Sequence, residues 1–198
     1  LGGVACKYVA AWDGQKWTAL GGNLNSFADA LAVYNGKLYC ASSRLYEWSG
    51  SEWIVVPDSP YDIECLLAHE DSLIVGWGSD FPGLIGRWDG AQWYEYGPGL
   101  NTGYLGDCPE VDRVVIFNGE LYACGDFQRT GNRTIGPLAR WDGAQWNGGT
   151  GFEGFTAFDM QVYDGELYIS VGVSPTDVCV QRWDGATWLD VPEFDKPP

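Results

Sequence analysis

The sequence predicts an all-β fold, a β-propeller of four-stranded antiparallel blades, and three observations carry that expectation. The stretch Trp12-Asp13-Gly14-Gln15-Lys16-Trp17 returns as Trp48-Ser49-Gly50-Ser51-Glu52-Trp53, Trp88-Asp89-Gly90-Ala91-Gln92-Trp93, Trp141-Asp142-Gly143-Ala144-Gln145-Trp146 and Trp183-Asp184-Gly185-Ala186-Thr187-Trp188. The first tryptophans are 36, 40, 53 and 42 residues apart, a period at which each repeat is one supersecondary unit of a propeller or solenoid. Between these turns lies a second recurring stretch, in which Asn35-Gly36, Asn118-Gly119 and Asp164-Gly165 separate β-prone runs. Such dipeptides favour a type I′ turn, so each repeat holds two hairpins and hence four strands, a to d.

In chain order, the first repeat offers only strands c and d, a partial blade over 1–20. Four complete blades follow at about 27–56, 62–96, 111–146 and 155–191, giving a single domain over 1–198 of about five blades with the first incomplete. The residues after Val191 do not supply the two missing strands, so the expectation is a ring with one partial blade or a piece of a longer array. The start at Leu1 rather than Met reads as a processed product or an excerpt. In the third repeat Glu70-Asp71 stands where the others have Asn-Gly or Asp-Gly, so a different turn is expected there.

Counting back from the a–b turn, the second residue is Val33, Ala68, Ile116 or Val162, and the fourth is Leu31, Leu66, Val114 or Met160. Shared parity puts these on one face of strand a, expected to pack sheet against sheet. For the Trp-x-Gly-x-x-Trp turn, a two-residue loop pairs Trp12 with Gln15, and a four-residue loop pairs Trp12 with Trp17. Either register puts both rings on one face, with the Asp capping turn amides and Gly taking positive φ. A turn repeated in every blade has the same structural job in each and reads as a clamp rather than a ligand site.

The 198 residues carry 27 acidic and 11 basic side chains, a net charge of −16. That charge repels phosphates and anionic membranes, and no Lys/Arg cluster offsets it, so nucleic acid is not an expected partner. No run approaches the roughly 18 apolar residues of a membrane-spanning helix, so membrane insertion is not expected either. Six cysteines (Cys6, Cys40, Cys65, Cys108, Cys124 and Cys179) lack Cys-x-x-Cys spacing, which disfavours zinc. The composition points to an extracellular or cell-surface setting; small buried thiols and disulfides are both open readings, and a disulfide between Cys108 and Cys124 is the one specific pairing expected.

The five Trp-rich turns resemble the repeats of kelch-type and related Trp-Asp-Gly-x-x-Trp propellers, over nearly the whole chain. They differ from WD40 repeats, which carry a Gly-His, since the only histidine is His69. They also differ from kelch in having Ala41-Ser42, Gly76-Trp77, Cys124-Gly125 and Ser170-Val171 rather than Gly-Gly after strand b. The resemblance implies binding or scaffolding.

In such blades the a–b and c–d turns share one face, and the b–c and d–a connections share the other. The second set is long and irregular, where binding usually sits. The candidate ligand face is therefore Asp80, Phe81, Tyr104, Asp107, Asp126, Phe127, Arg129, Asn132 and Arg133. Asn132-Arg133-Thr134 also fits a glycosylation acceptor. With one histidine there is no Ser-His-Asp set and no multi-histidine metal site, and His69 reads as packed or hydrogen-bonded. No catalytic residue, metal or cofactor is expected. Arg87, Arg140 and Arg182 precede Trp-Asp-Gly turns in separate blades and read as surface or cation–π residues. The leading expectation is a non-enzymatic extracellular module that binds a protein partner or a like subunit. A glycan-binding lectin is the alternative, and a glycan hydrolase is a third reading.

Overall fold

The computed structural model describes residues 3, 5–78, 84–103, 108–149, 151–152, 155–174, 177–184 and 187–191. They form six antiparallel sheets of two to four strands, with no helix among the described residues. The first sheet pairs β1 (Ala10–Trp12) with β2 (Trp17–Ala19). The second runs in the order β3 (Ala30–Tyr34), β4 (Lys37–Ala41), β5 (Leu45–Trp48) and β6 (Trp53–Val55). The third holds β7 (Ile63–His69), β8 (Ser72–Trp77), β9 (Ile85–Trp88) and β10 (Trp93–Glu95).

Next in the chain comes β11 (Leu100–Asn101), which leaves the repeating pattern. The fourth repeat sheet holds β12 (Glu110–Phe117), β13 (Glu120–Asp126), β16 (Leu138–Trp141) and β17 (Trp146–Gly148). Between β13 and β16 the chain forms β14 (Arg129–Thr130) and β15 (Arg133–Thr134). The fifth repeat sheet holds β18 (Thr156–Tyr163), β19 (Glu166–Ser174), β20 (Asp177–Trp183) and β21 (Trp188–Asp190). The strand order in the repeats is the one the two-hairpin reading predicts.

Burial on both faces organises the sheets into a row. Along β4, Leu38 and Cys40 pack toward the first sheet, while Tyr39 and Ala41 pack toward the third. Along β13, Leu121 and Ala123 pack toward the third sheet, while Tyr122 and Cys124 pack toward the fifth. Period-two alternation thus feeds two cores at once, one on either side of each sheet. First strands of successive sheets lie together: β3 against β7, β7 against β12, and β12 against β18. Tyr34 adds a cross-sheet bond, its hydroxyl donating to the Asp71 carbonyl at 2.7 Å.

The Trp-rich turns adopt the four-residue loop. Trp12 pairs with Trp17, and the same register holds for Trp48 with Trp53, Trp88 with Trp93, Trp141 with Trp146 and Trp183 with Trp188. Ring centroids in these pairs are 5.1 to 5.4 Å apart. Asp89 Oδ1 accepts from the amides of Ala91 and Gln92 at 2.8 Å, and Ser49 Oγ takes the same place in the second repeat. These bonds draw Asp142 down to a pKa of about 2, with the amides of Gln145 and Ala144 as the main causes.

The second tryptophan also reaches the sheet before its own. Its indole N–H donates to a carbonyl just past that sheet's last strand: Trp53 to Leu20 at 3.1 Å, Trp93 to Pro57 at 2.9 Å, and Trp146 to Tyr96 at 2.8 Å.

Two expectations are corrected. Cys124 forms no disulfide with Cys108: it is fully buried between the fourth and fifth repeat sheets, whereas Cys108 is exposed beside the second and third. Nor does the apolar face of strand a pack in every repeat. Leu31 is 50% and Val33 64% exposed, because the two-stranded first sheet covers only the outer part of the second, and Ala68 of the third sheet is exposed as well, next to the a–b turn. The third a–b turn differs as expected. Glu70 takes φ +49°, as Asn35 and Asn118 do at +49° and +52°, but Asp71 does not follow into positive φ as Gly36 and Gly119 do.

Two stability outcomes are expected. Glu70→Asn relieves a left-handed conformation that Asn tolerates better, and should raise stability by about 0.5 kcal/mol in urea unfolding. Trp146→Phe removes both the donor to the Tyr96 carbonyl and the five-membered ring that fills the core around it, and should cost about 2–4 kcal/mol in urea unfolding.

Candidate functional site

One position in the four complete repeats carries a carboxylate in three of them, which the turns do not explain. Six residues before the a–b turn stand Asp29, Glu64, Asp112 and Phe158. Three of these are the extra residue of a β-bulge: Glu64 between Ile63 and Cys65, Asp112 between Val111 and Arg113, and Phe158 between Ala157 and Asp159. Asp29 lies just ahead of β3, its amide donating to the Ala41 carbonyl at 3.0 Å. A bulge leaves one residue out of the ladder and re-aims its side chain. Glycine makes the fourth sheet's bulge possible, since a Cβ on Gly125 would sit 2.2 Å from the Glu110 carbonyl oxygen.

The result is a run of carboxylates across neighbouring first strands. A groove of about 570 Å³ opens between the second, third and fourth sheets, lined by Asp29, Asp62, Glu64 and Glu110 with Phe27 and Tyr61 at its edges. Phe27 is 75% and Tyr61 64% exposed, and the Arg44 guanidinium lies 4.3 Å from the Tyr61 ring centroid. Burial pushes Glu64 up to a pKa of about 7, reinforced by Asp29, Glu110, Asp112 and Asp62. Asp112 is likewise pushed up to about 7 by burial, then by Glu110 and Asp126, against the pull of Arg113. Like charges crowded out of water resist ionisation, so this surface holds protons near neutrality. Among the described residues no three His, Cys, Asp or Glu side chains are grouped to hold a metal ion.

Of the residues singled out from sequence, Asp80, Phe81, Tyr104 and Asp107 lie outside the described residues. Asp126 is exposed at the end of β13 and joins the acidic run through Asp112. Phe127 is 0% exposed, and so does not face a ligand. It belongs to the core shared with Leu100 and Ile135, beneath a small sheet in which β14 lies between β11 and β15. Arg129 and Asn132 are exposed on that sheet and its turn. Arg133 is turned to the β16–β17 hairpin, donating to Gln145 Oε1 at 2.7 Å and to the Trp146 carbonyl at 2.8 Å. The connection between β13 and β16 is therefore tied down, and none of the described candidates lines the groove, although Asp126 joins the acidic run through Asp112.

Arg87, Arg140 and Arg182 each reach the first residue of the neighbouring second strand: Ser72, Glu120 and Glu166. Arg87 alone also lies over an aromatic ring, 4.5 Å from the Tyr94 centroid. His69 sits 3.7 Å from Glu70 at the irregular turn. A second cavity, of about 200 Å³, lies between the fourth and fifth repeat sheets, lined by Tyr122, Arg140, Asn147, Trp183 and Trp188 among others.

No described protein family matches the chain, and no curated protein does. Solved structures do match. The extracellular domain of BT4673 from B. thetaiotaomicron, assigned as a hybrid two-component system, aligns with a TM-score of 0.50 at 11% identity, over 96% of this chain and 32% of that one. Another structure of that extracellular domain, assigned to a one-component system, aligns with a TM-score of 0.48 at 12% identity, over 93% and 30% of the two chains. The chain thus spans about a third of the length of the structures it matches. At such identity the likeness concerns the fold alone.

The raised carboxyls set a pH dependence. Glu64 and Asp112 titrate near 7 in the folded chain, above their ordinary 4.5 and 3.8, so the folded state binds more protons than the unfolded one between those values. Their contribution is most favourable below the unfolded values and is lost as pH rises through about 7. Glu64→Gln should therefore raise stability at pH 8 by on the order of 1 kcal/mol after allowing for solvent screening, and leave it nearly unchanged at pH 4, as thermal melts at the two pH values would show.

Proposed function

We propose that the chain is a non-enzymatic, extracellular β-propeller module that binds a basic segment of a protein partner in its acidic groove. The observation that carries this reading is the recurrence of a carboxylate at one position: Asp29, Glu64 and Asp112 gather on adjacent first strands instead of scattering. Proximity of like charges is costly, and a ligand bearing positive charge relieves it. The net charge of −16 steers such a ligand toward the surface. The propeller arrangement is supported by the side-by-side first strands and by the repeats' likeness to kelch-type propellers. The extracellular setting is supported by a structural neighbour that is itself an extracellular domain.

A second reading, glycan binding, is favoured by the cavity between the fourth and fifth repeat sheets. Trp183, Trp188 and Tyr122 offer flat apolar faces there, with Arg140 and Asn147 at hand for hydroxyls.

Titration calorimetry with a Lys/Arg-rich decapeptide separates the two readings. A basic ligand stabilises the ionised carboxylates, so binding should strengthen by about tenfold from pH 5 to pH 8 and weaken with added salt. It should be lost in the Glu64→Gln/Asp112→Asn double variant. Equal affinity in that variant would remove the groove from consideration. Binding on a glycan array that disappears in Trp183→Ala would transfer the function to the second cavity.

A further inference from the structure

The interface between the fourth and fifth repeat sheets lacks two things that the other three interfaces share. The first is a side chain. Three residues after the second tryptophan of successive turns stand Leu20, Val56, Tyr96 and Gly149. All four hold the same place in their sheets, the amide donating to the carbonyl of Val9, Leu45, Ile85 or Leu138 at 2.8 to 3.2 Å. Leu20 packs into the core that holds Trp48 and Trp53, and Val56 into the one that holds Trp88 and Trp93. The Tyr96 ring lies 5.5 Å from that of Trp141 and 6.2 Å from that of Trp146. Gly149 has no side chain to set against Trp183 and Trp188.

The second is a hydrogen bond. Trp53, Trp93 and Trp146 each donate to a carbonyl at this position or one residue past it, on Leu20, Pro57 and Tyr96. Among the described residues the Trp188 indole N–H has no acceptor, and Gly149, which lies where Leu20 and Tyr96 receive, takes no indole bond. What stands there is the cavity of about 200 Å³, with Gly149, Trp183 and Trp188 in its wall. Phe152 packs on Trp188 with ring centroids 5.0 Å apart and still leaves the cavity open. Arg140 and Gly148 are exposed at its rim. Both sheets that wall it are complete, so the space belongs to the interior of the row and not to either end.

We propose that this cavity takes one pyranose ring, the terminal unit of a glycan, in the place that Tyr96 fills at the preceding interface. This rests on the glycan reading above and deepens it, independently of the acidic groove. A ring missing from beside two tryptophans calls for a ring of similar size, and the C–H faces of a pyranose stack on indole. A plain phenyl ring would fill the space but leave the indole N–H unmet. A hydroxyl accepts from Trp188 and donates to the Gly149 carbonyl, so the ligand restores the link that the other interfaces make directly. Arg140 and Asn147 are already held, by Glu120 at 3.1 Å and by Asp142 at 2.7 Å, and are thus preset for further hydroxyls. The volume falls below the roughly 300–1,000 Å³ of pockets for larger ligands, so one sugar unit enters and the rest of the glycan lies outside.

The probe is a panel of methyl pyranosides of glucose, galactose, mannose and N-acetylglucosamine, added at millimolar concentration to the purified protein. Nuclear magnetic resonance of the indole N–H groups reads occupancy, the Trp188 peak being identified by its loss in Trp188→Phe. At least one glycoside should move that peak, and its affinity, followed by saturation transfer to the sugar, should fall at least about tenfold in Trp188→Phe. Gly149→Tyr with Leu138→Ile, which copies Tyr96 and Ile85, should abolish binding, with a thermal melt to establish that the variant folds. Where it does not fold, Trp188→Phe decides alone. No response to any pyranoside, or binding indifferent to Trp188→Phe or to the folded double variant, overturns the proposal. So does phenol moving the Trp188 peak where no pyranoside does, since an aromatic side chain would then be the occupant. Glycan-array binding that Trp183→Ala removes, with no response to a single pyranoside, overturns the one-ring assignment and leaves the broader glycan reading standing.

Discussion

Three pairs of adjacent sheets are held in register by a bond that the second tryptophan of a clamp makes outside its own sheet. The indoles of Trp53, Trp93 and Trp146 donate to the carbonyls of Leu20, Pro57 and Tyr96, residues that have just left the ladder of the preceding sheet. At Leu20 and Tyr96 the bond is part-buried, where an unmet carbonyl would be costly. The same side chain therefore closes a hairpin, fills an inter-sheet core and satisfies its neighbour's backbone. In all three cases the bond points backwards along the chain, so the second and third sheets each have a face that reaches and a face that receives.

With the outer strands fixed in this way, the inner strands can carry irregularity. Bulges at Glu64, Asp112 and Phe158 interrupt the first strand of three sheets at the same depth, without disturbing the hairpin turn at its other end. The cost of gathering Asp29, Glu64, Glu110 and Asp112 appears as carboxyls that hold their protons to about pH 7. Structural repetition explains the gathering. A side chain at one offset in each repeat is brought beside its counterpart in the next, so a substitution that is harmless in an isolated strand becomes part of a continuous charged surface.

Much of this was legible in the residues, and the failures have physical causes. Hairpins, strand order and the shared face of the tryptophans follow from local turn chemistry, which needs no tertiary context. The carboxylate site was within reach: the parity count that picks out Val33 and Leu31 arrives at Asp29 two residues further on, and likewise at Glu64 and Asp112. What parity does not show is the bulge, which depends on the pairing register. The burial of Phe127 is not legible locally, because its cover includes Leu100, in a strand only two residues long and distant in the chain. Leu31 and Val33 have apolar patterns indistinguishable from their buried counterparts, since a pattern records which face a residue takes and not whether anything lies against it.

The buried thiols give the row of sheets a built-in set of reporters. Cys40 lies between the first and second sheets, Cys65 between the third and fourth, and Cys124 between the fourth and fifth repeat sheets. Burial pushes Cys40 and Cys65 up to about 12 and Cys124 well above its ordinary range, so none is a thiolate at neutral pH while its interface is closed. Each becomes reactive only when the two sheets around it part. With Cys6, Cys108 and Cys179 outside these buried positions, the three seams of one molecule can be told apart by which of Cys40, Cys65 and Cys124 reacts.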